Sequence, residues 1–284
     1  MNPASFNEVA TRLLTEIAQE LSAPEVVFPT SFDLTIRVQR MLKDPNVSIE
    51  KLATFIRTEP LMSARIVTYA NSASLRRSGP QILDVDAAIL RVGLDAVRTV
   101  SYTLTVEQII RSKHMMPFHE LCTSIWEHSL VVATIARILA KRTRMSPEKA
   151  FLLGIVHDMG AFYLLFRFAK DEVLSAHRKE LVNLTFQWHD GIGHALLSAM
   201  GLPEDMLMAV QDHEAITDVV NFNNWSSLLS AADLLGQQLV QWGPEEEVQA
   251  NPRAISNALL SEEEVSEILA QTKEELESVR VAFG

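Results

Sequence analysis

Apolar residues recur at three- and four-residue spacing along most of this 284-residue chain, and only 10 glycines interrupt them. That period lays an apolar stripe down one side of a helix, whereas a half-buried strand needs strict alternation. The chain therefore reads as all-α. Several helix starts are written in capping chemistry: Ser48-Ile-Glu-Lys-Leu, Ser146-Pro-Glu-Lys-Ala with proline in the first turn, and Leu202-Pro-Glu-Asp. Breaks fall at Asp44-Pro45, Ser78-Gly-Pro80, Pro117 and Asn221-Phe-Asn-Asn224. The stretch from Arg111 to Phe118 is the best boundary between two helical halves, and no internal repeat or low-complexity segment is found.

A hydrophobic content of 48% against 21% charged residues describes a globular chain with a large core. The net charge of −11, with no basic stripe, argues against direct nucleic-acid binding. No uninterrupted apolar run approaches the roughly 18 residues of a membrane span, and the first residues carry no secretory pattern. The expectation is a cytoplasmic protein without a membrane partner. The one cysteine, Cys122, excludes an internal disulfide, and its setting between Leu121 and Trp126 suggests a buried, inert thiol. After Gly243-Pro244 ten acidic residues face three basic ones, so this tail holds most of the net charge. Within it Ser261-Glu-Glu-Glu-Val-Ser-Glu-Ile-Leu carries a serine cap, first-turn acids and later apolar residues, which predicts a helix. An acidic solvated helix is the simpler reading of that segment, and a partner-docking appendage the sharper one.

Chemistry concentrates in Phe151-Leu-Leu-Gly-Ile-Val-His-Asp-Met-Gly160. An apolar helix delivers His157 and Asp158 side by side at its end, and Gly160 lets the backbone turn away behind them. An imidazole nitrogen and a carboxylate oxygen suit a divalent first-row metal, although the pair alone describes a capped helix end equally well. His128 interrupts the small, apolar stripe of a long helix. Asp233 stands in Leu228-Leu-Ser-Ala-Ala-Asp-Leu-Leu-Gly, where an unpaired acid would be costly to bury and a metal would remove that cost. His189 precedes a further helix and His213 ends it.

The order His128, His157-Asp158, Asp233 resembles the signature of the HD superfamily of metal-dependent phosphohydrolases. Upstream, Phe28-Pro-Thr, Leu42-Lys-Asp-Pro-Asn-Val-Ser48, Glu59-Pro-Leu-Met-Ser-Ala-Arg65, Tyr69-Ala-Asn-Ser-Ala73 and Ala87-Ala-Ile-Leu-Arg-Val-Gly-Leu94 look like successive blocks of the HDOD domain, the HD-related output domain of bacterial signalling proteins. The resemblance implies a two-lobed helical bundle. It divides the chain into an N-terminal helix over 1–24, an HDOD domain over 25–240 with lobes near 25–112 and 118–240, and an acidic helical tail over 241–284. By the same resemblance Gly193, Leu196-Leu197 and Leu202-Pro203 place His189 as a second-metal histidine. His194 is displaced from that pattern and is read as structural, Asp190 as solvent-facing, and His114, His119 and His177 receive no role. Where relatives often carry a histidine pair, this chain has His213-Glu214, and a glutamate also coordinates metal.

The resemblance then implies one ion held by His128, His157, Asp158 and Asp233, and a second by His189, His213 and the shared Asp158. Iron, manganese and zinc all suit these ligands. In an active enzyme such ions would polarise a phosphoryl oxygen and activate water, with Asp158 in the catalytic role. Two departures weigh against turnover. Active HD-GYP relatives follow the His-Asp pair with Ile-Gly-Lys, whereas Met159-Gly160 is followed here by Ala161. Their Gly-Tyr-Pro loop is also missing, the region reading Ala215-Ile-Thr-Asp-Val-Val-Asn-Phe-Asn-Asn224. Hydrolysis of cyclic di-GMP is therefore not expected. Arg91, Arg98, Arg137 or Arg167 could replace the lost cation, but ion pairing is the simpler account of each. The favoured expectation is a signalling module that works through an unidentified protein partner, with self-association left open; a phosphohydrolase of unknown substrate is the alternative.

Overall fold

The structure, a computed structural model, describes residues 5–23, 26, 28–72, 81–216, 218–244 and 254–283. It is helical almost throughout, as the periodicity predicts. Helices α1 (Phe6–Leu21), α2 (Asp33–Lys43), α3 (Ile49–Arg57), α4 (Pro60–Ala70), α5 (Val85–Val92) and α6 (Leu94–Ile110) form the first half. A 3₁₀ segment, Lys113–Phe118, follows and contains Pro117. The second half comprises α7 (His119–Lys141), α8 (Pro147–Val156), α9 (Met159–Phe168), α10 (Glu172–Ala176), α11 (Arg178–Met200), α12 (Glu204–Asp212) and α13 (Trp225–Gly236), and α14 (Glu262–Phe283) ends the described chain.

Two of the three capping readings are met in atomic detail, while α12 starts at Glu204 after Pro203 with no side-chain cap. Ser48 Oγ accepts from the Lys51 amide at 3.1 Å and Ser146 Oγ from that of Lys149 at 3.4 Å. Such caps satisfy amides that have no partner within the first helical turn. The break read at Ser78-Gly-Pro80 lies outside the described residues. One element escaped the helical reading: Asp218–Val219 and Ala254–Ile255 pair as two short parallel strands, β1 and β2, in register Asp218 with Ala254. Two residues per strand are too few for alternation to be read.

A continuous hydrophobic cluster runs through both halves. Its most apolar stretch, residues 147–168, is long enough to cross a membrane by composition, yet 94% of that window is buried inside the fold. His157 and Asp158 divide it into α8 and α9.

The acidic tail behaves differently from either reading made of it. Ser261 and Glu264 form a reciprocal capping box at 2.9 and 3.3 Å, so the predicted helix is present. One face of α14 is buried, however, and packs on α4 and α7 of the same chain. Phe283 meets the rings of Tyr69 and Phe151 at 4.6 and 5.3 Å, and Glu275 bonds to the buried guanidinium of Arg137 at 2.9 Å. Apolar residues at Ile268, Leu276 and Val279 supply the stripe that makes this docking favourable. The segment's acid count hid that stripe.

Candidate metal centre

Five helices meet where the sequence places its candidate ligands. The middle of α7 carries His128, and α8 ends at His157, leaving Asp158 as the first residue before α9. Helix α11 contributes His189, the end of α12 contributes His213, and α13 contributes Asp233. All six side chains are at most 2% exposed.

Small residues set these approaches. A Cβ on Gly154 would collide with the backbone of Ala133, so glycine is what lets α8 lie directly on α7. At Gly160 a Cβ would collide with the carbonyl oxygen of His189 and with Gly193. This corrects two expectations. Gly160 lies within α9 rather than in a turn, and its role is close contact between backbones. His189 stands in the middle of the continuous helix Arg178–Met200, not ahead of it, because a helical glycine costs only about 1 kcal/mol and tertiary packing outweighs that.

Hydrogen bonding fixes the orientation of every imidazole. His157 Nδ1 lies 2.8 Å from the Gly154 carbonyl, His189 Nδ1 2.6 Å from that of Phe186, and His213 Nδ1 2.7 Å from that of Val210. His128 Nδ1 lies 2.8 Å from the Val240 carbonyl, reaching across to the segment after α13. A carbonyl only accepts, so each Nδ1 carries the proton and each Nε2 presents a lone pair when the ring is neutral. These lone pairs converge. His157, His189 and His128 have ring centroids within 5.4 Å of a neighbouring histidine in the cluster.

Two ligand groups share one carboxylate. The donor atoms of His128, His157 and Asp158 lie within 4.8 Å of one another, as do those of Asp158, His189 and His213. A third such group joins His213, Glu214 and Asp233. His157 Nε2 stands 3.3 Å from Asp158 Oδ2 and His189 Nε2 3.4 Å from Asp158 Oδ1, yet neither nitrogen has a hydrogen-bond partner. With the rings neutral, acceptor faces acceptor in a buried site, which is costly, and a divalent cation between them removes the cost. The donor set thus fits a metal.

The protonation preferences follow from the same crowding. Burial holds the His213 ring neutral, lowering its pKa to about 3, and the neighbouring His157 adds to the effect. Burial likewise lowers His157 despite the negative charge of Asp158. His128 is raised: burial opposes its charged form, but the 2.8 Å contact with Asp233 Oδ1 and that carboxylate's charge prevail. His189 is also raised, against burial, by Glu214 and Asp158. Asp158 is held below its usual range; burial would raise it, and the surrounding imidazoles overcome that.

Sequence reasoning passed over Trp242. Its indole N–H donates to Asp158 Oδ2 at 2.8 Å, and its ring meets His189 and Phe186 edge-on at 5.3 and 5.4 Å. The side chain lies over the centre and engages its shared carboxylate. An aromatic residue directly before Gly243-Pro244 was the available signal, obscured by its position at the start of the acidic tail.

The arginines considered as phosphate contacts are engaged elsewhere. Arg91 donates to the Ala70 carbonyl, Arg98 to Gln39 and Asp95, and Arg167 to Glu20 and Tyr163. Arg137 bonds to Glu275 within the interior rather than on the surface. His114, His119 and His177 are exposed, and Asp190 is half-buried with its carboxylate on the Gly191 amide. His194 lies outside the ligand groups. Cys122 is buried with its thiol pushed up to about 12, as an inert core residue should be.

Comparison with known proteins follows the same lines. The sequence profile of the HDOD domain matches residues 28–216. A presumed metal-dependent phosphohydrolase from Shewanella amazonensis aligns at 20% identity and a TM-score of 0.70, over 98% of this chain and 100% of that one. An HDOD domain protein of unassigned function from Geobacter sulfurreducens aligns at 22% identity and a TM-score of 0.61, covering 97% and 98%. A presumed signal transduction protein from Marinobacter aquaeolei aligns at 15% identity and a TM-score of 0.54, covering 99% of this chain and 67% of that one. At these identities the likeness is one of fold. No curated protein matches the chain.

Proposed function

This chain belongs to the HDOD family, and we propose that it is a signalling module whose buried His/Asp centre binds divalent metal and acts as a clamp rather than as a turnover site. One observation carries this reading: the six ligands are at most 2% exposed, and Trp242 engages the carboxylate that both ion sites would share. In this arrangement the ligands present almost no surface to a substrate phosphate. His128, His157, Asp158 and Asp233 would hold one ion, and Asp158, His189 and His213 a second, with iron, manganese or zinc suited to the donors. When bound, the ions supply positive charge that neutralises the paired carboxylates and ties α7, α8, α11, α12 and α13 together. The backbone carbonyls keep each Nε2 aimed inward, and Trp242 limits water at Asp158. The module would act through a protein partner in a cytoplasmic bacterial pathway.

A second reading, a metal-dependent phosphohydrolase, is favoured by the completeness of the ligand set and by the first of the structural relatives. The two separate in one experiment. Metal analysis of the purified protein should give at least one equivalent, and assays on cyclic dinucleotides, nucleoside triphosphates and an aryl phosphate should show no turnover beyond that of Asp158→Ala. Robust hydrolysis absent from that variant would establish the enzyme instead, and a protein well below one equivalent of metal would remove both readings.

A further inference from the structure

We propose that the cleft between α1, α2 and the last turns of α11 binds a small organic phosphate with an apolar or aromatic body. The cleft encloses about 510 Å³ and is lined by Arg40, Lys43 and His194, with no carboxylate among its described lining residues. That volume exceeds what a bare ion needs and lies within the range of small-molecule sites, about 300–1,000 Å³.

Two cations meet here without a carboxylate, whereas many arginines of the molecule are ion-paired. Arg37, Arg57, Arg65, Arg111 and Arg280 all pair with carboxylates. Arg40 and Lys43 have no such partner among the described residues, in a chain of net charge −11. Position explains why both face one space. They stand three residues apart on α2, hence on one side of it. Lys43 reaches across to Gly201, whose left-handed backbone (φ 85°) closes α11, and any side chain there would strike the Lys43 ammonium. The Lys43 ammonium thus lies beside the end of α11, at the rim of the cleft. His194 projects from α11 into the same cleft, while the carboxamide of Gln39 is already bonded to Arg98 and Ser101.

The rest of the wall sets Ser22, Gln39 and Ser198 beside an apolar patch. Val26, Phe28, Ile36 and Met200 line it, so a ligand that is charged at one end and apolar at the other satisfies both surfaces. Paired cations favour a phosphate head through charge-assisted hydrogen bonds. The cleft shares none of the metal ligands, and this inference stands apart from the reading of that centre.

Calorimetric titration of chelator-treated protein with phenyl phosphate, beside inorganic phosphate, tests it. Phenyl phosphate should bind with a Kd of about 1 mM or tighter, and inorganic phosphate about tenfold more weakly. The double variant Arg40→Gln, Lys43→Gln should weaken phenyl phosphate about tenfold or more, as should Ser198→Trp, which keeps both cations and narrows the space. The double variant Arg144→Gln, Lys149→Gln, which removes an equal charge outside the cleft, should change nothing. Circular dichroism confirms that each variant is folded. Absence of phenyl phosphate binding up to about 10 mM, equal binding of the two probes, or an affinity that both cleft variants leave intact would overturn the proposal.

Discussion

Two buried polar networks in this molecule are built from similar materials and end in opposite states. In the first half Thr35 Oγ1 lies 2.5 Å from the Ser101 carbonyl and 2.7 Å from Thr105 Oγ1, and Arg98 donates to Gln39 at 2.9 Å, itself within 3.5 Å of Ser101 Oγ. No buried side-chain nitrogen or oxygen of these residues is left without a partner, so the network is complete as protein. In the second half the imidazole protons are spent on backbone carbonyls, and what remains inside is a set of nitrogens and carboxylate oxygens facing one another. The difference teaches what burial alone does not. A closed network fixes how helices pack, whereas one left with surplus acceptors specifies something positive that the chain does not encode.

The sharpest way to break this comparison is to remove the cation. If ions bind only the folded state at about 1,000 times their Kd, chelation should cost about 4 kcal/mol and lower the melting temperature by roughly 10 °C. His157→Ala should abolish that chelator response, and scanning fluorimetry of both proteins with and without chelator measures it. An identical melting temperature in all four samples would make the second network as self-sufficient as the first.

Acid should separate the networks next. His213 and His157 stay neutral in the fold but take protons in the unfolded chain below about 6.5. The unfolded state then binds more protons, so their contribution favours folding above that pH and is lost as pH falls from about 6.5 towards 3. Urea unfolding of metal-free protein across that range should show stability falling with acid, less steeply in His213→Gln. A stability that rises on acidification would contradict this assignment of protons.

Smaller effects test individual members. Trp242→Phe keeps the ring but deletes the donor to Asp158, and should cost about 1–2 kcal/mol while speeding metal loss to a chelator. Unchanged loss kinetics would show that Trp242 does not cover the centre. Thr35→Val removes one hydroxyl of the closed network and should cost about 1 kcal/mol, equally with and without chelator by urea unfolding. A chelator-dependent cost would mean that the networks are coupled.

Much of the fold and of the centre was legible because the signals are local or strongly ordered. Caps at Ser48 and Ser146 sit three residues from the amides they satisfy, and His157-Asp158 lies at a visible change in an apolar run. The family resemblance added His189 and the division of ligands between two ions, which no spacing within one helix reveals. What sequence could not carry was the partner of a contact. Gly160 read as a turn because its true neighbour, His189, is distant in sequence, and Trp242 read as tail because its partner is Asp158. The stripe of α14 was likewise masked by charge, although it repeats at helical spacing.

Docking of α14 also has a meaning in time. Arg137 lies in the interior, and the carboxylate that answers it, Glu275, comes 138 residues later in the chain. At a synthesis rate of about 5–20 residues per second, roughly 10 s separate the two. Throughout that interval a nascent α7 holds a cation with its eventual counter-ion still unmade, so the surface that receives α14 must stay open to water. Docking of α14 thus follows the synthesis of α7 by that interval, and helices emerging from the ribosome before it carry an apolar groove that a chaperone could shield.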